Sequence, residues 1–295
     1  MRSDAFFNAH PAVSFGFFLA VMLITAFVLQ PVITGVSLAA ACAYSIFLKG
    51  RKGILFCLFG VLPLIFVLAL INPLFNHAGV RVLFYLWNGN AVTLEAVLYG
   101  IVSACMFASL ILWCSCLNQV MSSDKYVYLF GRLAPVLSLL FSMVLRFVPR
   151  FLVRIRLVGE AQSGLSGGEK GIRGNIKRGL SIVSATVTWA LESSVTMADS
   201  MKSRGYGLKG RTMFSLYTFR SRDAFLTIVM LLAFAVSVYA VASGHISFRF
   251  YPSIKYSGTD AVSIAGTAAF TVLTALPLLL NLKEKTAWRK ALSGI

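Results

Sequence analysis

Six long apolar runs are the feature of this sequence that most restricts how it can fold. Each is close to the roughly 20 residues that an α-helix needs to cross about 30 Å of hydrocarbon. The runs extend over Pro11–Leu29, Val32–Leu48, Ile54–Ile71, Leu94–Leu117, Ala224–Ser243 and Ala261–Leu282. The sequence therefore predicts an all-α, polytopic integral membrane protein with about six transmembrane helices.

The composition agrees with a membrane protein. Hydrophobic residues make up 58% of the chain, charged residues only 13%, and the mean hydropathy is +0.81, whereas about 25% of the residues of a soluble domain are charged. The formal net charge of +17 would suggest nucleic acid if the protein were soluble. Because polytopic membrane proteins concentrate Lys and Arg in cytoplasmic loops, we expect a lipid bilayer and no nucleic acid as partner.

The positive charge is unevenly distributed along the chain. More than half of the 27 Lys and Arg residues fall between positions 118 and 223. This distribution predicts three regions: residues 1–117 with four spans, a cytoplasmic region at 118–223 with long helices, and residues 224–295 with two spans and a basic tail. The positive-inside rule then places both termini in the cytoplasm.

One apolar segment in the cytoplasmic region invites a seventh span. Leu133–Leu145 offers only about 13 residues before Arg146, fewer than a crossing needs, so we predict a helix at or just under the inner membrane face. Arg146, Arg150 and Arg154 follow at i, i+4 and i+8 and form one stripe on that helix. Attraction to lipid headgroups explains the stripe as well as a docking role does.

Two long helices, over Pro135–Gln162 and Asn175–Arg204, are predicted in the cytoplasmic region, separated by the Gly/Ser-rich break Ser163–Gly168. The second has a predicted apolar face made of Ile182, Val183, Val187, Ala190, Leu191, Val195, Ala198 and Met201. It ends in Ser203-Arg204-Gly205. A cation in the last turn and a glycine just past it are ordinary helix-ending residues, so a purely structural role for this tripeptide remains open.

The sequence contains few patterns of residues that are typical of catalytic or metal-binding sites. The sequence has no phosphate-binding loop of the type Gly-x-x-x-x-Gly-Lys-Ser/Thr, so the chain is not expected to hydrolyse ATP itself. The three histidines lie at span edges without a second ligand at helical spacing, and the five cysteines lie in apolar runs where a free thiol is an ordinary small hydrophobe. We therefore predict no enzyme activity, no catalytic residues, no metal site and no cofactor bound by this chain.

Several short motifs occur in the order found in one transporter family. They are Asn8-Ala-His10-Pro11, Asn72-Pro-Leu-Phe75 followed by Gly79, Thr93-Leu-Glu95-Ala96, Arg146-Phe-Val-Pro149, Glu160-Ala-Gln162 and Ala198-Asp199 leading to Ser203-Arg204-Gly205. With these motifs the chain resembles the transmembrane (T) component of energy-coupling factor transporters, which are vitamin and metal-ion importers of the ATP-binding-cassette class. The motifs cover most of residues 1–210, whereas 224–295 has one span more than the resemblance implies.

The resemblance implies two docking sites for ATPase subunits. In the family, motifs of Ala-Arg-Gly type at the ends of cytoplasmic coupling helices dock into grooves of two ATPases, and Ser203, Arg204 and Gly205 are similar to the second motif, with Ser for Ala. The first motif should follow Glu160-Ala161-Gln162, where this chain has Ser163 and Gly164 and no arginine; Arg154 or Arg156 could take over its contact. Arg146 and Pro149 would support the docking helices.

The resemblance also implies the partners and the location. Two ATP-binding-cassette ATPases would bind the ATP, and a small membrane protein would bind the substrate, a vitamin or a metal ion such as cobalt or nickel. The protein would lie in the cell (inner) membrane of a bacterium or archaeon. A stand-alone membrane transporter or channel is the alternative function, and a membrane-anchored enzyme is the third.

Overall fold

The computed structural model of the chain describes residues 6, 9–76, 79–85, 91–131, 134–165, 171–208, 217–252, 254–256 and 260–293. The helices are α1 Pro11–Phe27, α2 Pro31–Lys49, α3 Arg51–Leu55, α4 Leu62–Phe75, α5 Leu94–Val120, α6 Ser123–Gly131, α7 Pro135–Leu165, α8 Ile172–Ser203, α9 Ser221–Ala242 and α10 Ala261–Ser293. A π-helical segment, Phe56–Val61, joins α3 to α4. The strands are β1 Val82–Tyr85, β2 Ala91–Thr93, β3 Phe248–Arg249 and β4 Lys255–Tyr256, which form two short antiparallel pairs.

The fold is an all-α membrane architecture, as the sequence predicts. Six helical stretches among the described residues are long and apolar enough to cross a membrane: Pro31–Lys49, Arg51–Phe75, Leu94–Val120, Pro135–Gly164, Ser221–Ala242 and Ala261–Lys283. Helix α1 is equally apolar but shorter, with 17 residues. The chain is therefore a multi-pass membrane protein.

The stretch Pro135–Gly164 is a candidate span that the prediction did not count. Leu133–Leu145 alone, the apolar residues before Arg146, is shorter than a crossing needs. Leu133 itself lies outside the described residues, but α7 continues without a break through Arg146 and Arg150 and keeps an apolar stretch of membrane-spanning length. The predicted helix Pro135–Gln162 is present, and its position at or just under the inner membrane face stays a prediction, since α7 is assigned as a candidate span by length and composition only.

Helix α4 ends later than predicted. Asn72-Pro73 was expected to terminate the third span, yet the helix continues to Phe75 with Pro73 inside it. The backbone N–H of Asn76 donates to the carbonyl of Asn72 at 2.8 Å. A proline so near the helix end removes one hydrogen bond and leaves the last turn able to close.

The contacts divide the chain into two compact units. The first unit comprises Met1–Ser122 and Tyr217–Ile295, and the second unit comprises Ser123–Leu216. In the first unit, α5 packs against α1, α2 and α4, while α10 packs against α9 and α2. In the second unit, α7 packs against both α6 and α8.

A cluster of aromatic rings forms the centre of the first unit. Trp113 of α5 is fully buried, with ring centroids of Phe17, Phe18 and Tyr44 at 5.8, 6.1 and 6.3 Å. Its indole N–H donates to the hydroxyl of Ser37 at 3.0 Å, so the polar atom of the ring is satisfied. This cluster ties α1, α2 and α5 together.

The motif around His10 lies where two helices begin. Asp223, in the first turn of α9, is buried and accepts the backbone N–H of Arg220 at 3.1 Å and that of His10 at 3.5 Å. A carboxylate near helix N-termini is stabilised by their unpaired N–H groups. Burial lowers the pKa of His10, an effect that the Asp223 carboxylate partly opposes. Asn8 of the same motif lies outside the described residues.

The segment between α4 and α5 contains a strand pair that the sequence pattern did not predict. Glu95, the first acidic residue of α5, is only 2% exposed, and its carboxylate accepts the backbone N–H of Arg81 at 3.3 and 3.4 Å. Gly79 approaches so closely that a Cβ there would lie 2.7 Å from a Glu95 oxygen. The motif residues Gly79 and Glu95 therefore fasten the segment that contains β1 to the start of α5.

Replacing Glu95 by Ala is expected to destabilise the protein by about 1–3 kcal/mol, because the backbone N–H of Arg81 loses its charged acceptor. Glu95→Gln keeps an acceptor oxygen and should cost less. Thermal unfolding of the detergent-solubilised protein, with the two variants compared side by side, measures the difference. Equal stability of Glu95→Ala and the native chain would contradict this role of the carboxylate.

Candidate functional site

Helices α7 and α8 of the second unit pack as an antiparallel pair. The Phe151 ring lies 5.6 Å from that of Trp189, and the Arg154 guanidinium lies over the same indole at 5.3 Å. Further along α7, a Cβ on Gly159 would lie 3.7 Å from Ile182. Because residue numbers rise on α7 as those of their neighbours fall on α8, the C-terminus of each helix lies beside the beginning of the other.

A groove runs between the two helices on the Arg204 side of Trp189. Its volume is about 750 Å³, within the range of roughly 300–1,000 Å³ typical of ligand pockets. Its lining residues are Met143, Arg146, Phe147, Arg150, Trp189, Glu192, Ser193, Thr196, Met197, Ser200, Met201 and Arg204. The fold thus places Arg204 of the predicted docking motif in the same groove as Arg146, which the sequence analysis named as supporting.

The end of α8 explains Gly205 but not Arg204. The N–H of Tyr206 donates to the carbonyl of Met201 and that of Gly205 to the carbonyl of Lys202, both at 3.0 Å, which is the Schellman arrangement. Gly205 has a φ of +82°, a conformation that costs any residue with a Cβ. Ser203 and Arg204 are exposed, and no hydrogen bond of the helix end requires a guanidinium.

Two Gly→Ala substitutions in this region test whether Gly205 is needed for its left-handed backbone conformation: one at Gly205 and one at a glycine inside α8. Gly205→Ala is expected to destabilise the protein by about 1–2 kcal/mol, since it forces a Cβ into the left-handed region. Gly179→Ala, in the interior of α8 with open space around it, should instead stabilise by about 0.5–1 kcal/mol. Urea unfolding in detergent measures both, and the same sign for the two changes would contradict the assignment.

The second predicted docking region lies at the opposite end of the pair. Glu160, Ala161, Ser163 and Gly164 are exposed near the C-terminus of α7, and the Ser163 hydroxyl donates to the Glu160 carbonyl at 2.7 Å. Gln162 of this region is half-buried. Residues 166–168 of the predicted Gly/Ser break lie outside the described residues. Ile182 lies beside Gly159, and the 22 residues from Ile182 to Arg204 span about 33 Å of helix at roughly 1.5 Å per residue. The structure therefore does not bring the two docking regions together.

The remaining predicted residues take different positions on α7. Arg146 and Arg150 line the groove and Arg154 lies over Trp189, so the predicted arginine stripe faces α8. Pro149 is exposed and lies outside the groove lining, and Arg156 is exposed as well. The contact with Trp189 holds the Arg154 side chain against α8.

The predicted apolar face of α8 divides into two parts. Ile182 packs near Gly159, whereas Val183, Val187, Leu191 and Val195 form an exposed stripe, each at least half exposed. The α7 side of α8 instead carries Thr186, which is buried, and Trp189. Of the α8 residues that line the groove, only Met201 and Arg204 were predicted from the sequence. The others could have been found, because Trp189, Ser193, Thr196, Ser200 and Arg204 recur at the helical spacing of three or four that marks one face.

The groove is electropositive. It holds three guanidinium groups and one carboxylate, that of Glu192. In the part of the chain that the structure describes, the ion pair present is His245–Asp260 at 2.9 Å in the first unit, so no described carboxylate neutralises Arg146, Arg150 or Arg204 by direct pairing. Such a groove fits an anionic partner group.

Clusters suited to metal binding are not found among the described residues, in which no three His, Cys, Asp or Glu side chains come together; His77 lies outside this set. Comparison with known proteins adds no family, because no protein-family model matches the sequence and no significant match is found among curated proteins. Function is therefore argued from the membrane architecture and from the α7–α8 pair.

Proposed function

We propose that this protein is the transmembrane coupling subunit of an energy-coupling factor type importer. The observation that carries the proposal is the α7–α8 pair, in which Ser203–Gly205 and Glu160–Gly164 are placed at opposite ends. Two docking regions about 33 Å apart along α8 suit two separate ATPase subunits better than one. The motif resemblance named above points to the same two regions.

Docking at the α8 end would rest on Arg204. An exposed arginine at a helix end is free to insert into a carboxylate-lined groove of an ATPase, where it makes charge-assisted and bidentate hydrogen bonds. Gly205 lets the two backbones approach closely because it has no side chain. At the α7 end, which lacks an arginine, the ATPase contact would use backbone and hydroxyl groups of Glu160–Gly164 and the exposed Arg156.

Coupling would follow from movement of the pair. When nucleotide binding closes two ATPases toward each other, each ATPase would move the helix end docked to it, so that α7 and α8 act as levers. The chain would transmit this motion to α5 and α9, which precede and follow the second unit in sequence. The chain itself would supply no catalytic group, and ATP would stay on the partners.

The substrate-binding partner would be a small membrane protein. The exposed stripe of α8 formed by Val183, Val187, Leu191 and Val195 is more apolar than a water-facing surface should be, and it suits either the bilayer or a membrane-embedded partner. The substrate, a vitamin or a metal ion, would be bound by that partner. The proposed location is the cell membrane of a bacterium or archaeon, with both termini in the cytoplasm.

Copurification tests the proposal. The tagged full-length chain is solubilised from its own host in mild detergent, and the bound proteins are identified by mass spectrometry. The proposal predicts two ATP-binding-cassette ATPase chains, identical or different, together with a small hydrophobic protein. A stable chain that purifies alone, and that transports a substrate without any ATPase, would favour a stand-alone transporter and contradict the proposal.

A further inference from the structure

Two of the three arginines in the α7–α8 groove lie on adjacent helical turns of α7, and no carboxylate among the described residues forms an ion pair with them. Arg146 and Arg150 are four residues apart on α7 and both are exposed in the groove lining. Like charges at this spacing repel each other, so an anion bound between them removes an unfavourable interaction as well as adding a favourable one. Glu192, on the α8 wall of the groove, is the single acidic lining residue.

The rest of the groove is apolar enough to hold a hydrocarbon-bearing ligand. Met143 and Phe147 on α7, and Trp189, Met197 and Met201 on α8, line it beside the arginines. Flexible Met side chains adapt to irregular apolar ligands, and Trp is enriched at the level of lipid headgroups. A free inorganic anion would use the arginines and leave this apolar lining unfilled.

The outer surface of α7 is apolar, which favours a lipid over an acidic peptide as the ligand of the groove. Val144 and Leu152 of α7 are 53% and 62% exposed. The apolar stretch Pro135–Gly164 is long enough to cross a bilayer, and almost none of its most apolar part is buried within the protein. The arginines therefore lie on a helix whose other faces favour hydrocarbon. An arginine on such a helix reaches for the phosphate groups of the membrane surface.

We propose that the groove is a binding site for an anionic phospholipid, with the phosphate held by Arg146 and Arg150 and the glycerol and upper acyl chains against Phe147, Trp189 and Met197. Arg204 lies at the end of the groove and adds positive charge there. The site belongs to the chain alone and does not rest on the proposed coupling function, so lipid binding and ATPase docking are tested independently.

The experiment is native mass spectrometry of the purified full-length chain in an uncharged detergent, titrated with phosphatidylglycerol, with phosphatidylcholine, with inorganic phosphate and with a short poly-glutamate peptide. We expect phosphatidylglycerol to bind more tightly than phosphatidylcholine by about tenfold or more, as two cations near an anionic headgroup predict. The variant R146Q/R150Q should lose this preference. The matched variant R156Q/K202Q, which removes two exposed cations outside the groove lining, should retain it.

A second readout keeps the test independent of misfolding. Brominated phosphatidylglycerol should quench the fluorescence of native chain more than that of Trp189→Phe, since Trp189 lines the groove, and circular dichroism checks that all variants keep their helices. Equal binding of both lipids, equal loss of preference in the two double variants, or binding of the poly-glutamate peptide in place of lipid would overturn the proposal. Binding of phosphate at the same site without the lipid preference would also overturn it.

Discussion

Replacing Arg204 by Glu is expected to abolish docking of the ATPase at the α8 end of the pair. Reversing a charge that lies among partner carboxylates removes the hydrogen bonds and adds repulsion, so binding should weaken by at least about tenfold. Substrate uptake by cells should fall with it. Because Arg204 is exposed and the helix end is satisfied by the backbone N–H groups of Gly205 and Tyr206, membrane insertion and thermal stability should stay close to those of the native chain.

Lys202→Glu is the control for this substitution. Lys202 is two residues away on the same helix, is exposed, and lies outside the groove lining, so it changes the net charge by the same amount without touching the docking residue. The measurement is uptake in cells and ATPase retention on the purified chain for both variants. Normal uptake by Arg204→Glu, or an equal defect in Lys202→Glu, would contradict the role assigned to Arg204.

Replacing Trp113 by Ala is expected to cause a large loss of stability, about 3–5 kcal/mol. The substitution empties a fully buried site among Phe17, Phe18 and Tyr44 and leaves the Ser37 hydroxyl without its indole donor. Trp113→Phe keeps part of the ring contacts and should lose less. Thermal unfolding in detergent, followed by a size-exclusion assay for aggregation, measures both variants.

Phe107→Ala provides the comparison for Trp113. Phe107 lies on the same helix but is 51% exposed, so its removal opens no cavity inside the unit. We expect a change of less than about 1 kcal/mol, as for substitutions away from a packed core. A Trp113→Ala chain as stable as Phe107→Ala would show that the aromatic cluster does not hold α1, α2 and α5 together.

Much of the fold was predictable because a membrane-spanning helix needs about 20 consecutive apolar residues, and such runs are visible in the sequence. Helices α2, α5, α9 and α10 are long apolar runs bounded by prolines, glycines or charges, and the sequence predicts them directly. The wrong helix boundary has a local cause. The sequence pattern predicts a helix end at Asn72-Pro73, whereas the backbone of α4 continues to Phe75.

The strand pair near Glu95 was not predictable from pattern, because β1 and β2 are only four and three residues long and show no sustained alternation. Their position depends on Gly79, Thr93 and Glu95, which come together only in three dimensions. The burial of Glu95 is likewise invisible in a sequence that places it at the edge of a span.

Single residues of the candidate site could be predicted from the sequence, but not that they lie together in one groove. Arg146 and Arg204 are each suggested by motif and spacing, yet 58 positions separate them in the sequence. Their meeting in one groove depends on the antiparallel register of α7 and α8, which Phe151 and Trp189 set by ring contact. Helical spacing identifies the face of each helix, but it does not say which face of which helix packs against the other.

The most direct test of the proposed coupling role is site-specific photo-crosslinking in the native host. A photoreactive amino acid is placed at Ser203, at Ser163 or, as a control in the exposed middle of α8, at Thr188, and the crosslinked proteins are identified by mass spectrometry. The account predicts crosslinks to ATP-binding-cassette ATPases from positions 203 and 163 and none from position 188. Crosslinks from position 203 to lipid or to unrelated proteins, with no ATPase, would contradict it.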